Sequence, residues 1–456
     1  MHSRGAKADT TLQWARARLG SRALVLAVLS LAAAASGEAA TEQSATLSTS
    51  AEDADDWPQW RGPERDGKAP AVAERWPESL IRLWSVKAGL GYSSPVIAGG
   101  VAFLHEQYSA REILRALRLR DGHELWRSAD NPQALADRYS VTSLLGGSLG
   151  SSGGGRKSLG GGPYATPLVD GEVVFTFGFN GVLEGRSTTD GRLLCRLETD
   201  HPIPVHGTAM SPLLLDRGTV VAHVGSGGAG ELIAYSCANR DRVWSWSGDG
   251  PAYASPVVAE IDGSRQMVAL TDRLAIGLDA ASGKPLWELE FSEQSNQAMV
   301  TPLLFEDLVL FGGVGRGTLA LQPQRRAEGW EPRKVWERPD RTFYLSSPVL
   351  YRDMLVGLSD KRKGQLVAID ARTGEDRFVG EGRFAESASL VSAGNHLLVL
   401  TVEGELLVLA WKGSTFREIA RYLVAETPSW AHLAVSGDVL LIRDSESLTA
   451  WRVAPD

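Results

Sequence analysis

Four large aromatic residues recur at one position of a repeated pattern in this 456-residue chain. Three residues before the second member of each repeat's anchor dipeptide, the sequence reads Tyr92, Tyr164, Ala209, Tyr253, Met299, Leu345, Ser387 and Trp430. If these positions share one rim, Tyr92, Tyr164, Tyr253 and Trp430 form a surface on which a flat ligand, a sugar ring or an apolar partner can stack. The plainer alternative is that they pack between loops, the commoner fate of aromatics. The same face should carry Glu106, Asn180, Asp272, Arg273, Arg316, Asp360, Lys361, Arg362, Lys363, Glu403 and Asp444. Of these, Glu106, Asp272 and Arg273 are the candidate polar contacts of a ligand or partner face, and most of the others read as solvated turn residues.

Other chemistry is poorly supported. His201 and His206 flank Pro202-Ile203-Pro204-Val205, a proline-rich spacing with no fixed metal geometry. Arg156-Lys157-Ser158 lies among glycines but has arginine where a phosphate loop needs glycine, and it lacks the strand-to-helix context. No Cys-x-x-Cys-His haem attachment and no Gly-x-Ser-x-Gly nucleophile motif occurs. No catalytic residue and no metal site is assigned.

The anchors show what positions the aromatics. They are Ser94-Pro95, Thr166-Pro167, Ser211-Pro212, Ser255-Pro256, Thr301-Pro302, Ser347-Pro348, Ser389-Leu390 and His432-Leu433, at spacings of 72, 45, 44, 46, 46, 42 and 43 residues. All but the first fall in the range of four-stranded propeller blades. The long first spacing comes from a glycine-rich insertion between Asp130 and Gly162, read either as a lid or partner loop or, more plainly, as a disordered insertion. Short Val/Leu/Ile runs between turn residues and scarce helical periodicity after residue 80 predict an all-β fold. The expectation is an eight-bladed β-propeller of four-stranded antiparallel blades.

Each blade ends in a recognisable turn. In the fourth, Asp279-Ala280-Ala281-Ser282-Gly283 precedes Trp287, and in the sixth Asp370, Thr373 and Gly374 precede Phe378. Asp accepts backbone N–H groups, Gly takes the positive φ, and the aromatic then holds a fixed place from which to wedge against the next blade. Trp126, Cys195 and Trp244 stand at the same offset, so Trp126, Trp244, Trp287 and Phe378 are expected docking residues. The last repeat stops one strand short, and Leu83-Trp84-Ser85-Val86 ahead of the first supplies the spare one, with Trp84 docking and the ring closed.

This Ala-x-Asp-x-x-Thr-Gly-x-x-x-Trp pattern resembles the tryptophan-docking motif of the pyrroloquinoline-quinone-like (PQQ-like) propeller superfamily. Its members include quinoprotein alcohol dehydrogenases and the propeller lipoprotein of the outer-membrane β-barrel assembly machinery. The resemblance covers roughly residues 80 to 456, and Trp57-Pro58-Gln59-Trp60-Arg61-Gly62-Pro63 looks like the opening of many secreted bacterial members. In the dehydrogenases it implies PQQ held against a disulfide of adjacent cysteines, with calcium bound by Glu, Asn and Asp. This chain has no adjacent cysteines and no residue that matches the calcium ligands or the catalytic Asp, so the cofactor does not come with the fold.

The remaining features concern export and partners. Arg4, Lys7, Arg16, Arg18 and Arg22 precede an apolar stretch from Ala23 to Ala35 and small residues suited to cleavage. Residues 1–40 therefore read as an export signal, 41–56 as a solvated, disordered linker, 57–80 as an extension packing on the propeller and 81–456 as the propeller. Loss of the first segment moves the formal charge from −8 to −11, which disfavours nucleic acid. The mature chain is expected in the periplasm or outside the cell, without a membrane span and as a monomer. Cys195 takes the place where other repeats put Trp or Phe, so it reads as a small buried hydrophobe rather than half of a bridge to Cys237. Together these features predict an exported binding or scaffolding module with a protein or cell-envelope partner. The rival is a quinone-dependent or other small-molecule oxidoreductase, and carbohydrate recognition draws on the same aromatics.

Overall fold

Short strands that bury both faces cannot stand alone, and here they are stacked edge-on around an axis. Met354–Ser359 and Ala388–Ala393 are buried at every position, whereas the outer strand Asp241–Gly248 buries only Trp244 and Trp246. Middle strands are sandwiched between neighbouring sheets and read as continuous apolar runs, and outer strands keep one face in water. The computed structural model describes residues 56–109, 111–128, 162–204, 210–291, 299–313, 316–343 and 346–454. The expected export signal, the linker up to residue 55 and all but the last residue of the glycine-rich insertion lie outside the described residues.

The described residues form eight antiparallel sheets, one per repeat, in an eight-bladed all-β propeller. Blades 1 to 7 span residues 96–127, 168–197, 213–248, 257–290, 303–338, 349–379 and 388–423. Blade 8 joins residues 434–452 to Ile81–Lys87 as its outer strand. The register sets Trp84 opposite Ala450, Ser85 opposite Thr449 and Val86 opposite Leu448, as the strand count predicted.

A single size rule governs the seams between blades. On seven outer strands the docking residue faces a small residue of the third strand: Trp84 faces Ala450, Trp126 Ala116, Cys195 Gly185, Trp244 Ala234, Trp287 Gly277, Trp336 Ala320 and Phe378 Ala368. A register shift adjoins each of these pairs, and such bulges re-aim side chains. Four indoles then donate to a carbonyl in the next blade's turn: Trp84 to Leu119 (2.6 Å), Trp126 to Thr188 (2.8 Å), Trp244 to Ala280 (3.1 Å) and Trp336 to Ala371 (3.0 Å). Gly283 shows why the turn needs glycine twice over, since its φ is 69° and a Cβ there would strike the Trp244 ring.

Other seams depart from this pattern. Trp287 has no such turn to meet, because blade 5 replaces it with the long hairpin Gly317–Arg326 and Gly329–Arg338. It instead fills the space over Gly277, donates to Gln266 Oε1 at 2.8 Å and joins a cluster with Val309, Phe311 and Leu321 of blade 5. Phe378 meets Trp411 and Phe416 of blade 7 edge-on. Blade 7 inverts the size rule, with Val408 facing Ala420, and blade 8's Trp451 donates back to Val424 O.

Cys195 is a correction. It is bridged to Cys237, with the Cα atoms 5.3 Å apart. Cys237 occupies, in the turn of blade 3, the place of Ala280 in blade 4, so a covalent bond crosses the seam where elsewhere an indole reaches a carbonyl. Arg240 can therefore hold the glycine place of that turn at φ 55°, because no indole lies over it.

The Ser and Thr of the anchors tie the inner strands into a belt. The N–H groups of Ser94, Thr166, Ser211 and Ser255 donate to the hydroxyls of Thr166, Ser211, Ser255 and Thr301, at 3.3, 2.9, 3.0 and 3.4 Å, and His432 N–H returns to Ser94 Oγ at 2.9 Å.

Burial also sets protonation. The imidazoles of His105, His223 and His432 are driven down to about 3, 4 and 3 by loss of hydration, so all three fold neutral. Burial raises the Glu112 carboxyl to about 7.

Three outcomes follow from these seams and buried groups. A protein beginning at Ala88 lacks the closing strand and Trp84, and is expected to melt earlier or aggregate beside the mature chain in a thermal scan; equal stability would refute the closure. Trp287→Ala should lose roughly 3–5 kcal/mol in a denaturant titration, because the space over Gly277 cannot collapse. The histidines contribute stability that is present above their unfolded pKa of about 6.5 and lost as pH falls, while Glu112 contributes stability lost as pH rises from about 4.5 to 7. Three protons against one leave a net fall of roughly 2–3 kcal/mol per pH unit from 6.5 to 4.5, checked by urea midpoints across that range.

Candidate functional site

Strand order puts the start of every inner strand, and the turn between the second and third strands, at one end of the wheel. At this end the structure brings together three of the four expected aromatics directly. Tyr92 and Tyr164 stack at 6.2 Å with planes 10° apart, and Trp430 meets Tyr92 edge-on at 6.4 Å. Phe179, in the turn between Val173–Phe177 and Leu183–Ser187, extends the row with its ring 5.7 Å from Tyr164. Burial and the neighbouring Tyr92 and Tyr253 push the Tyr164 phenol up to about 12, and burial does the same to Tyr253. Both hydroxyls therefore stay protonated and able to donate. All four expected aromatics are half-buried.

The expected charges have other duties. Glu106 is fully buried, where it accepts Gly89 N–H at 2.7 Å and pairs with Arg115 at 3.0 Å, so it braces blade 1 instead of lining the mouth. Asp272 is buried in its turn, its N–H held by Gly250 O. Arg273 is half-exposed and bonded to the buried Asp249 at 3.0 Å. Asp444 caps its own turn through Glu446 and Ser447 N–H groups, Arg316 pairs with Glu337, and Asp360, Lys361, Arg362 and Glu403 are exposed. His201 bonds Glu231 at 3.1 Å, while Ala209, Leu345 and His206 lie outside the described residues. No group of three or more His, Cys, Asp or Glu side chains suited to a metal occurs among the described residues.

Beneath the mouth, the segment opening with Trp57 fills the axis. Asp56 caps Gly99 N–H, in the turn at the far end of blade 1, and Trp57 exchanges both backbone bonds with Ile97 at 2.9 Å. The chain climbs past Val169 of blade 2 to the level of the anchors, where Trp60 donates to Thr301 Oγ1 at 2.9 Å. Arg61 reaches Pro348 O, and Arg65 reaches Pro212 O at 2.9 Å and Ser211 O at 3.2 Å. It then reverses, and Lys68–Ala69 descend as a fifth strand parallel to Ala388–Ala393, leaving beside Gly394 at the far end. The result is a hairpin plug with its tip under the aromatics.

One small cavity of about 40 Å³ lies in the seam between blades 1 and 2, lined by His105, Glu112, Thr176, Asn180, Glu184 and Arg186. It has room for a water or two. Glu112 accepts Phe179 N–H at 2.8 Å, which fixes the turn that presents Phe179 to the aromatic row. Phe179, Glu112 and the plug's arginines were missed as site residues by sequence reasoning; Phe177-Gly178-Phe179-Asn180, a glycine between aromatics at a turn, was the available signal for the first.

A quinone cofactor does not fit these residues. The two cysteines are bridged between the outer strand of blade 2 and the turn of blade 3, Glu106 is neutralised inside blade 1, and the hairpin takes up the axis below the mouth.

A search of curated protein sequences returns no match. Among solved structures, BamB from Moraxella catarrhalis superposes with a TM-score of 0.55 at 14% identity, over 82% of this chain and 98% of that one. Quinohemoprotein alcohol dehydrogenase from Comamonas testosteroni gives 0.61 at 12% identity, over 88% and 81%. A europium-containing methanol dehydrogenase gives 0.61 at 10%, over 88% and 98%. Identities this low speak for the fold alone. In sequence, residues 110–379 match the model of one family, described as outer membrane protein assembly factor BamB. As that match spans more than half of its length, the chain belongs to this family of PQQ-like propellers.

Proposed function

We propose that this protein is an exported scaffold of the cell envelope that holds a protein partner at its aromatic mouth. The observation that carries this reading is the half-exposed row Trp430, Tyr92, Tyr164 and Phe179 above an axis closed by the chain's own hairpin. Partly buried aromatic rings held against one another offer large contact area at little entropic cost, the usual make-up of a binding hot spot. Half-exposed Leu90, close by, adds apolar surface. Membership of a family described as an assembly factor supports a partner that is a protein. The basic, apolar N-terminal segment supports export to the periplasm or beyond.

The rival reading is a quinone-dependent oxidoreductase, favoured by the likeness to two dehydrogenases. It requires a cofactor site, and no group of three or more His, Cys, Asp or Glu side chains suited to a metal occurs among the described residues.

A photo-reactive residue at Leu90 in intact cells is expected to capture a discrete envelope protein. Replacing Tyr164 and Tyr253 together by alanine should weaken that capture by about tenfold or more, with a near-unchanged melting temperature. Identical adducts in the double variant would remove the mouth from the interface. Cofactor absorbance after incubation with PQQ and calcium, together with dye reduction by an alcohol, would favour the enzyme instead.

A further inference from the structure

Arg61 and Arg65 stand four residues apart at the tip of the axial hairpin, with only 1% and 3% of their surface exposed. All the acceptors that reach them are neutral. Arg61 donates to Asp66 O and Pro348 O, and Arg65 to Gln59 Oε1, Pro212 O and Ser211 O. Neither makes an ion pair among the described residues, and Asp66, whose charge acts on Arg61, is itself bonded to Lys68 at 2.9 Å. Three buried nitrogens have no acceptor among the described residues: Nε and Nη1 of Arg61, and Nε of Arg65.

Two guanidinium groups enclosed with no carboxylate bonded to either among the described residues are costly, since each has lost its water and repels the other, and the charge of Asp66, acting on Arg61 across space, offsets this only in part. Burial lowers Arg61 to about 10 and Arg65 to about 9, the latter also through the charge on Arg61, so both remain cationic at neutral pH. Neighbouring His432, its ring 4.4 Å from Trp60, is neutral and supplies no negative charge. The backbone adds to the case. Both arginines are left-handed, with φ of 63° and 59°, where glycine or asparagine would sit more easily. Long cationic side chains at two such positions call for a role that outweighs the strain.

We propose that Arg61 and Arg65 form an anion-binding site on the propeller axis, which takes a small monovalent anion on their unpartnered N–H groups. The inner-strand starts of blades 3 and 6 enclose it through Ser211, Pro212 and Pro348, and that enclosure selects for small size. The anion is either a free halide or the carboxylate of a ligand descending from the mouth; both use the same charge-assisted bonds.

The test uses the full mature protein in a chloride-free buffer at constant ionic strength, titrated with sodium chloride, bromide or formate while the melting temperature is followed. The expected result is a saturating rise of a few degrees that Arg65→Met flattens. A rise with chloride and bromide assigns a halide site, and one with formate alone assigns a carboxylate site. Crystals of the unmodified protein grown in bromide should then show anomalous density beside Arg61 Nε or Arg65 Nε, which keeps the halide case testable even if the variant fails to fold. Equal responses of wild type and variant to all three salts would overturn the proposal. So would the absence of both a saturating response and an anomalous peak in wild type.

Discussion

The wheel depends on one contact repeated around it: a large outer-strand side chain, set opposite an alanine or glycine of its own blade, reaches across to the turn of the next. The small residue provides the depth, the adjoining bulge provides the direction, and the turn provides a carbonyl or a glycine face for the ring to meet. Because blade angle and spacing both pass through this contact, its chemistry can change only if its reach is kept. Between blades 2 and 3 the reach is kept by a disulfide, between 4 and 5 by Trp287 lying over Gly277, and between 7 and 8 by an indole pointing the other way.

The second constraint is the axis. Eight inner strands that converge on small anchor residues leave a hole, and the hydroxyl belt holds its rim but cannot fill it. The chain fills it with its own N-terminal hairpin, whose bonds reach the inner strands or anchors of blades 1, 2, 3, 5, 6 and 7, and whose Trp60 packs on His432 of blade 8. One consequence bears on function: what would be a channel becomes a blind mouth, with aromatic walls above and two buried guanidinium groups at its base.

Much of this architecture was written in the chain. The period of the anchors predicted the blade number, the turn motif predicted most docking residues, and the missing last strand predicted closure by Trp84. Each is a local signal, repeated often enough to be read through its own decay. Trp336 escaped because its blade lacks the turn that marks the others, although its facing residue, Ala320, obeys the same size rule. The bridge between Cys195 and Cys237 escaped for a different reason. The two cysteines belong to different parts of the motif in successive repeats, one in the docking place and one in the turn, and only the seam brings their Cα atoms within bonding range.

Sequence by itself determined the class, the blade count and the closure, because those follow from periodicity and from repeated turn residues at fixed offsets. Tertiary structure alone decided which charges are available. Glu106 and Asp272 read in sequence as charges of a ligand or partner face, yet neighbouring strands bury both, and Arg115 neutralises the first. Likewise, Trp57-Pro58-Gln59-Trp60-Arg61-Gly62-Pro63 reads as part of an extension packing on the propeller, and no local rule places two arginines at the centre of a protein. Their burial is a property of the ring, since it takes carbonyls from strand starts far apart in the chain to receive them.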